Sequence, residues 1–145
     1  MRRGGQSSAY DRPGGKARSE DGMNGMERAY AHDVLEPRRM AGEIIRYRFE
    51  PFAIKLAPKT FYRPDFLVEL AGEWVWPSAM GKTESGLQTP RMITPWLEIH
   101  EVKGRWEDAG RIKLKVAASQ QPWFRFIAVR SAGRGRYEYE EIPPA

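Results

Sequence analysis

The stretch that most constrains the fold runs from Leu97 to Val129. It reads strand, helix, strand: LEIHEVKG, then EDAGRIKLKVAASQQ, then WFRFIAV. Two strands separated by a helix cannot close as a hairpin, so the pattern predicts a right-handed crossover between parallel neighbours. Ile112, Leu114 and Val116 alternate as a strand would, but Ala117, Ala118 and the glutamines favour the helix. Upstream, NGMERAYAHDVLEPRRMAG places Met26, Tyr30, Val34 and Leu35 at helical spacing. Asn24 and Glu27 form a capping-box pattern, Gly42 is a stop, and Pro37 either ends the helix near Leu35 or kinks it. The remaining apolar runs read as strands. They are EIIRYRFEPF with Ile45, Tyr47 and Phe49 alternating, FAIKL, TFYRPDFLVEL from Thr60 to Leu70, and a last edge strand RYEYEEI. The expected fold class is therefore α/β, a mixed β-sheet flanked by helices.

A chain of 145 residues is long enough for one domain with one core. Residues 1–22 are rich in Gly, Ser and Arg without an apolar period and read as a flexible basic arm. Residues 23–145 read as the folded domain, with a hairpin or loop insertion at about 71–95, where Trp, Pro, Gly and Thr mix. No run of 18 apolar residues is present, so no membrane span is expected. MRRGGQSSAYDRPGG has no apolar core and does not read as a secretory signal. Cysteine is absent, which removes disulfides, thiolate catalysis and cysteine-based zinc sites and fits a reducing compartment. Formal net charge is +5; the first 25 residues hold five basic and three acidic side chains, leaving +3 for the rest. That balance suits DNA or RNA as partner, although many soluble proteins are equally basic.

The strand LEIHEVKG is unusual in keeping charges. Leu97, Ile99, Glu101 and Lys103 share one face, and Glu98, His100 and Val102 share the other. Leu97 and Ile99 should be buried, so Glu101 and Lys103 would project side by side at the end of a packed strand, where Gly104 lets a neighbour come close. Asp65, in RPDF, is a second carboxylate within an apolar run. If the two strands are neighbours, Asp65 and Glu101 converge, and both ionise cheaply only with a cation between them. A hard divalent ion such as Mg2+ takes oxygen ligands and keeps several waters. Lys103 could then hold an attacking water or neutralise charge growing on a phosphate.

Pro64-Asp65, then Glu101-Val102-Lys103 on a following strand, then a helix, resembles the PD-(D/E)xK nuclease superfamily. EVKGRW, with a basic helix, a proline and an apolar strand after it, looks like the small phage-type endonucleases, among them Holliday-junction resolvases of the endonuclease I type. The resemblance covers about residues 24–130. The interval from Asp65 to Glu101 is longer than in compact members, so the insertion would have to leave both strands paired. The resemblance implies a restriction-endonuclease-like core and hydrolysis of DNA phosphodiester bonds, including those of branched DNA, with Mg2+ or Mn2+. It assigns the metal to Asp65, Glu101 and the Val102 carbonyl, and the attacking water to Lys103. Glu27 on the first helix would hold a second metal or orient water. It further implies a homodimer and a phage or prophage origin, hence the bacterial host cytoplasm, with no small-molecule cofactor.

Each residue has a plainer reading. Glu27 could serve only the capping box, Asp65 could be a turn residue, and Glu101 with Lys103 could be a solvated ion pair. His100 reads as a hydrogen-bonded filler, and Glu98 lies on the face opposite Lys103. Arg105, Arg111, Lys113 and Lys115, on or near the second helix, could contact phosphates or form a solvated face, and Gln120 could reach the site. Trp96, Trp106 and Trp123 read as core or rim. The rival functions are a nicking or restriction-like nuclease on ordinary duplex, a nuclease on RNA, a non-catalytic nucleic-acid-binding module, and a structural phage component.

Overall fold

The computed structural model describes residues 21–75, 91–93 and 96–144. The arm expected over 1–22 lies outside them apart from its last two residues. So does most of the insertion expected over 71–95. At its two ends, strands β5 (Glu73–Val75) and β6 (Arg91–Ile93) pair antiparallel.

The fold is α/β. Five strands form a mixed sheet in the order β1 (Ile44–Phe49), β4 (Phe66–Leu70), β7 (Leu97–Lys103), β8 (Arg125–Gly133) and β9 (Arg136–Ile142). The β7–β8 pair is parallel and the other three are antiparallel. Helix α3 (Asp108–Gln120) makes the crossover that the strand–helix–strand pattern requires. It buries Leu114, Ala117 and Ala118, while Ile112 and Val116 face solvent, so their alternation in sequence carried no strand signal. Between β1 and β4 the chain folds a separate hairpin, β2 (Ile54–Ala57) with β3 (Thr60–Tyr62).

The first helical segment begins as its capping box dictates: Asn24 accepts from the Met26 and Glu27 amides, and the Glu27 carboxylate returns to the Asn24 amide. Helix α1 (Gly25–Tyr30) passes through a π-helical turn, Ala31–Leu35, into α2 (Glu36–Met40). Pro37 does not end the helix near Leu35: the segment stays helical from Gly25 to Met40, and its defect is the π turn just before the proline. The wider turn before it places Pro37 within the first turn of α2, where its missing N–H leaves no helical bond unmade. Gly42, at φ +80°, closes the segment: its amide donates to the Arg39 carbonyl and the Glu43 amide to that of Arg38, a Schellman ending.

The sheet lies between two apolar layers. Tyr30 and Leu35 of the first helical segment pack on Ile44, Phe66, Val68, Val102, Ile127 and Val129. On the other face α3 and the β2–β3 hairpin enclose Ile54, Tyr62, Ile99, Phe126, Ala128 and Ile142. Two expectations are corrected. Ile45 does not share a face with Tyr47 and Phe49; a bulge between Ile44 and Arg46 turns Ile44 inward and leaves Ile45 exposed. The run Thr60–Leu70 is not one strand. Arg63, Pro64 and Asp65 separate β3 from β4, because proline offers no amide to a ladder and restricts the residue before it.

Candidate active site

The break at Pro64 creates the site. The β4–β7 ladder runs from Glu69↔Leu97 to Phe66↔His100 and stops there. Beyond it, the edge of β7 that faces β4 has lost its strand partner. The Val102 amide points to that side and donates to Asp65 Oδ2 at 2.7 Å. In an extended strand a residue's C=O leaves on the same side as its N–H, so the Val102 carbonyl also faces Asp65.

Three charged groups meet here. Lys103 Nζ lies 3.2 Å from Asp65 Oδ2 and 2.7 Å from Glu101 Oε1. The Tyr62 hydroxyl, from the β2–β3 hairpin, donates to Glu101 Oε2 at 2.8 Å. Asp65 and Glu101 are only 6% and 8% exposed. Glu27 is buried nearby, but its oxygens are 2.8 Å from the Asn24 amide and 2.7 Å from Asn24 Nδ2, so in this state it acts as the cap. The start of α1 is seated over the end of β7 by Met26, whose Cε would lie 2.8 Å from a Cβ placed on Gly104. Gly104 thus admits a close neighbour, as its place at the strand end suggested.

The electrostatics follow from this crowding. Burial and then the Glu101 charge push Asp65 up to about 7; Glu27 adds to the rise, while Lys103 and the Val102 amide oppose it. Burial works against the Lys103 charge, but Asp65 and Glu101 outweigh it and hold the ammonium above its usual range. Tyr62 is raised well above a free phenol, first by burial and then by Glu101, so it stays a donor.

Glu98 and His100 project from the opposite face of β7, as alternation requires. His100 Nε2 lies 2.8 Å from Glu98 Oε2, and its Nδ1 lies 2.8 Å from the Tyr30 hydroxyl. Burial raises Glu98, yet the His100 hydrogen bond and charge, with Arg125, bring it below the ordinary range. The Glu98 carboxylate accepts from His100 Nε2, and the Tyr30 hydroxyl engages the other ring nitrogen. His100 is therefore the filler that its isolation in the strand suggested, with both ring nitrogens engaged.

The residues expected to contact phosphates are scattered in their partners. Arg105, Lys113 and Lys115 are exposed. Arg111 is tied to Glu140 at 2.7 Å and stacks over Trp106. Gln120 does not turn to the carboxylates; its amide donates to the Leu56 carbonyl at 3.1 Å and ties α3 to the β2–β3 hairpin. Trp96 and Trp123 are exposed and Trp106 is half-buried, so all three sit at the rim. Leu97, expected in the core, is exposed as the first residue of β7. Tyr62 was not legible beforehand: no spacing links it to Glu101, and only the hairpin's position on the α3 side brings them together.

A divalent cation fits the donor chemistry. Glu27, Asp65 and Glu101 are three buried carboxylates against one ammonium, and Asp65 is driven towards its neutral form for want of positive charge. Among the described residues no three Asp, Glu or His side chains are gathered as a ready-made cluster. Mg2+ asks for less, one or two carboxylates with water completing the shell. Asp65, Glu101 and the Val102 carbonyl would hold it once Lys103 moved off the Asp65 oxygen. No described helix is long and apolar enough to cross a membrane. Comparison with protein-family models, with curated proteins and with solved structures finds no match to this chain.

Proposed function

We propose that the chain is a metal-dependent endonuclease with a restriction-endonuclease-like core, hydrolysing phosphodiester bonds in DNA. One observation carries the reading: two buried carboxylates, Asp65 and Glu101, converge on the half-buried Lys103 at the end of the central strand. When bound, Mg2+ or Mn2+ would supply Lewis-acid stabilisation of the leaving oxygen. Asp65, Glu101 and the Val102 carbonyl would hold it. Lys103 would orient the attacking water and offset charge on the phosphoryl oxygens. Tyr62 fixes the Glu101 carboxylate through its second oxygen. Glu27, released from Asn24, is close enough to influence Asp65 and would orient water. Water would attack phosphorus in line with the leaving oxygen: a new P–O bond forms, the P–O bond to the leaving oxygen breaks, and the proton given up by the water ends on that oxygen, leaving a phosphate on one strand end and a hydroxyl on the other. Branched DNA, a homodimer and a phage setting belong to the same proposal and rest on the sequence resemblance.

The test is incubation with supercoiled plasmid and a synthetic four-way junction in Mg2+, Mn2+ or EDTA, beside Glu101→Ala and Lys103→Ala. Metal-dependent cutting that both substitutions abolish supports the nuclease, and the junction-to-plasmid ratio assigns the preferred substrate. DNA binding without cutting in any metal refutes catalysis and leaves a binding module.

A further inference from the structure

The cations of this molecule fall into two groups. On the β8–β9 side three arginines are neutralised at home, Arg111 by Glu140, Arg125 by Glu98 and Glu141, and Arg130 by Glu138, while Arg134 and Arg136 at the turn stay exposed. On the β2–β3 hairpin the cations are not neutralised. Lys55, Lys59 and Arg63 are exposed, and none has an ion-pair partner among the described residues. Arg48, Arg105, Lys113, Arg134 and Arg136 share that freedom; what sets the β2–β3 hairpin apart is that its strand also carries Tyr62, bonded to Glu101 of the site, and that an exposed aromatic faces one of its cations. Phe61 stands directly opposite Lys55 in the ladder and is 51% exposed. Alternation explains the arrangement: Ile54 and Tyr62 turn inward, Lys55 and Phe61 outward. The strand that puts Tyr62 on Glu101 therefore presents Phe61 and Arg63, the residues on either side, to solvent.

Lys59 adds a second sign. It occupies the hairpin tip at φ +57°, where glycine or asparagine is favoured and a long side chain costs about 1 kcal/mol. Arg134 shares that conformation at the β8–β9 turn, but only the β2–β3 tip adjoins the strand that bears Tyr62.

We propose that the β2–β3 hairpin is the arm that holds DNA beside the scissile phosphate. Lys55, Lys59 and Arg63 contact backbone phosphates, and Phe61 stacks on a base that is out of the duplex. The inference rests on the nuclease reading for the identity of the polymer and deepens it by naming the substrate form. An aromatic among free cations is suited to a base with an open face. Within a regular duplex no such face is available, so the favoured substrate has an unpaired segment next to the cut.

The test is binding rather than cutting, in EDTA, by fluorescence anisotropy. The probes are labelled oligo-dT, a matched duplex, and that duplex carrying a single-stranded flap, with oligo-rU as control. Phe61→Ala should weaken flap and oligo-dT about tenfold and leave the duplex nearly unchanged. Lys59→Gly and Lys55→Ala should weaken all DNA probes and each lower the slope of log affinity against log salt by about 1. Phe61 is exposed and Lys59→Gly relieves strain, so neither change should lower the melting temperature. Wild-type-like flap binding by Phe61→Ala, an equal loss on duplex, an unchanged salt slope, or tighter binding of oligo-rU than oligo-dT each overturns the proposal. Cutting by wild type with hairpin variants that bind normally would sink the arm and spare the nuclease. Loss of flap binding in those variants without cutting by wild type would do the reverse.

Discussion

Asp65→Asn should make the metal-free protein more stable, and only above acid pH. The ordinary carboxyl value of 3.8 is raised to about 7 by burial and by Glu101. Between those limits the unfolded chain has lost the proton and the folded chain keeps it, so stability falls as pH rises. Below about pH 4 both states are protonated and nothing is lost; above about pH 7 the full penalty is present. Moving the carboxyl from its ordinary value to about 7 corresponds to a ceiling of about 4 kcal/mol. Asparagine mimics the neutral acid and keeps an oxygen for the Val102 amide. At pH 8 in EDTA the variant should therefore gain up to ~4 kcal/mol, roughly 12 °C in Tm. At pH 4 the gain should vanish. The assay is thermal melting by circular dichroism at both pH values, repeated with Mn2+. The ion should raise the wild-type Tm at pH 8 and leave the variant almost unmoved, because it relieves the same crowding. A variant no more stable than wild type at pH 8, or equally stabilised at both pH values, refutes the reasoning.

Tyr62→Phe removes the donor to Glu101 Oε2 and leaves a buried carboxylate oxygen unpaired. Urea unfolding should show a loss of about 1–3 kcal/mol, and Mn2+ titration should show weaker binding as Glu101 loses its fixed orientation. His100→Ala breaks the chain from Tyr30 to Glu98 and leaves two buried oxygens without a partner, although Glu98 keeps Arg125, so a loss of about 1–3 kcal/mol is expected in the same unfolding measurement. Gly104→Ala meets only the flexible end of Met26, which can swing aside; a cost above about 1 kcal/mol would show that Met26 is fixed more tightly than its contacts imply.

What the sequence made legible was whatever rested on local chemistry or on period. Asn24 and Glu27 announced the helix start, Gly42 its end, and the alternation in LEIHEVK put Glu101 and Lys103 on one face and His100 on the other. What it hid depended on partners distant in the chain. Pro64 was visible as a residue awkward in a strand, but that it would cut TFYRPDFLVEL in two, free the end of β7, and leave Asp65 on the Val102 amide required the pairing of β4 with β7. Ile45 misled because a bulge shifts the alternation by one residue, a slip that no single strand reveals. Arg111 and Gln120 looked available on a basic helix, and their partners, Glu140 and Leu56, come from β9 and β2. Tyr62 reaches Glu101 across 39 positions, a pairing that only the packed hairpin defines.

Two of the buried polar groups on β7, His100 and Glu101, also make sense together. Each is costly by itself, since charges away from water need good geometry to break even. They lie back to back on adjacent residues, His100 on one face and Glu101 on the other. The Tyr30–His100 contact fixes α1 against β7 through one helical turn, and Glu27 stands three residues before Tyr30 on that helix. A displacement of α1 that moved Glu27 relative to Asp65 would have to break a hydrogen bond in the core. The His100 network thus sets the distance between the helix carboxylate and the strand carboxylates, and the break at Pro64 leaves Asp65 on the open edge of β7. An apolar residue at position 100 could fill the same volume, but it would leave Glu98 without its imidazole and the helix free to slide. In the proposed nuclease, this polar core would hold the helix that carries Glu27 in place beside Asp65 and Glu101.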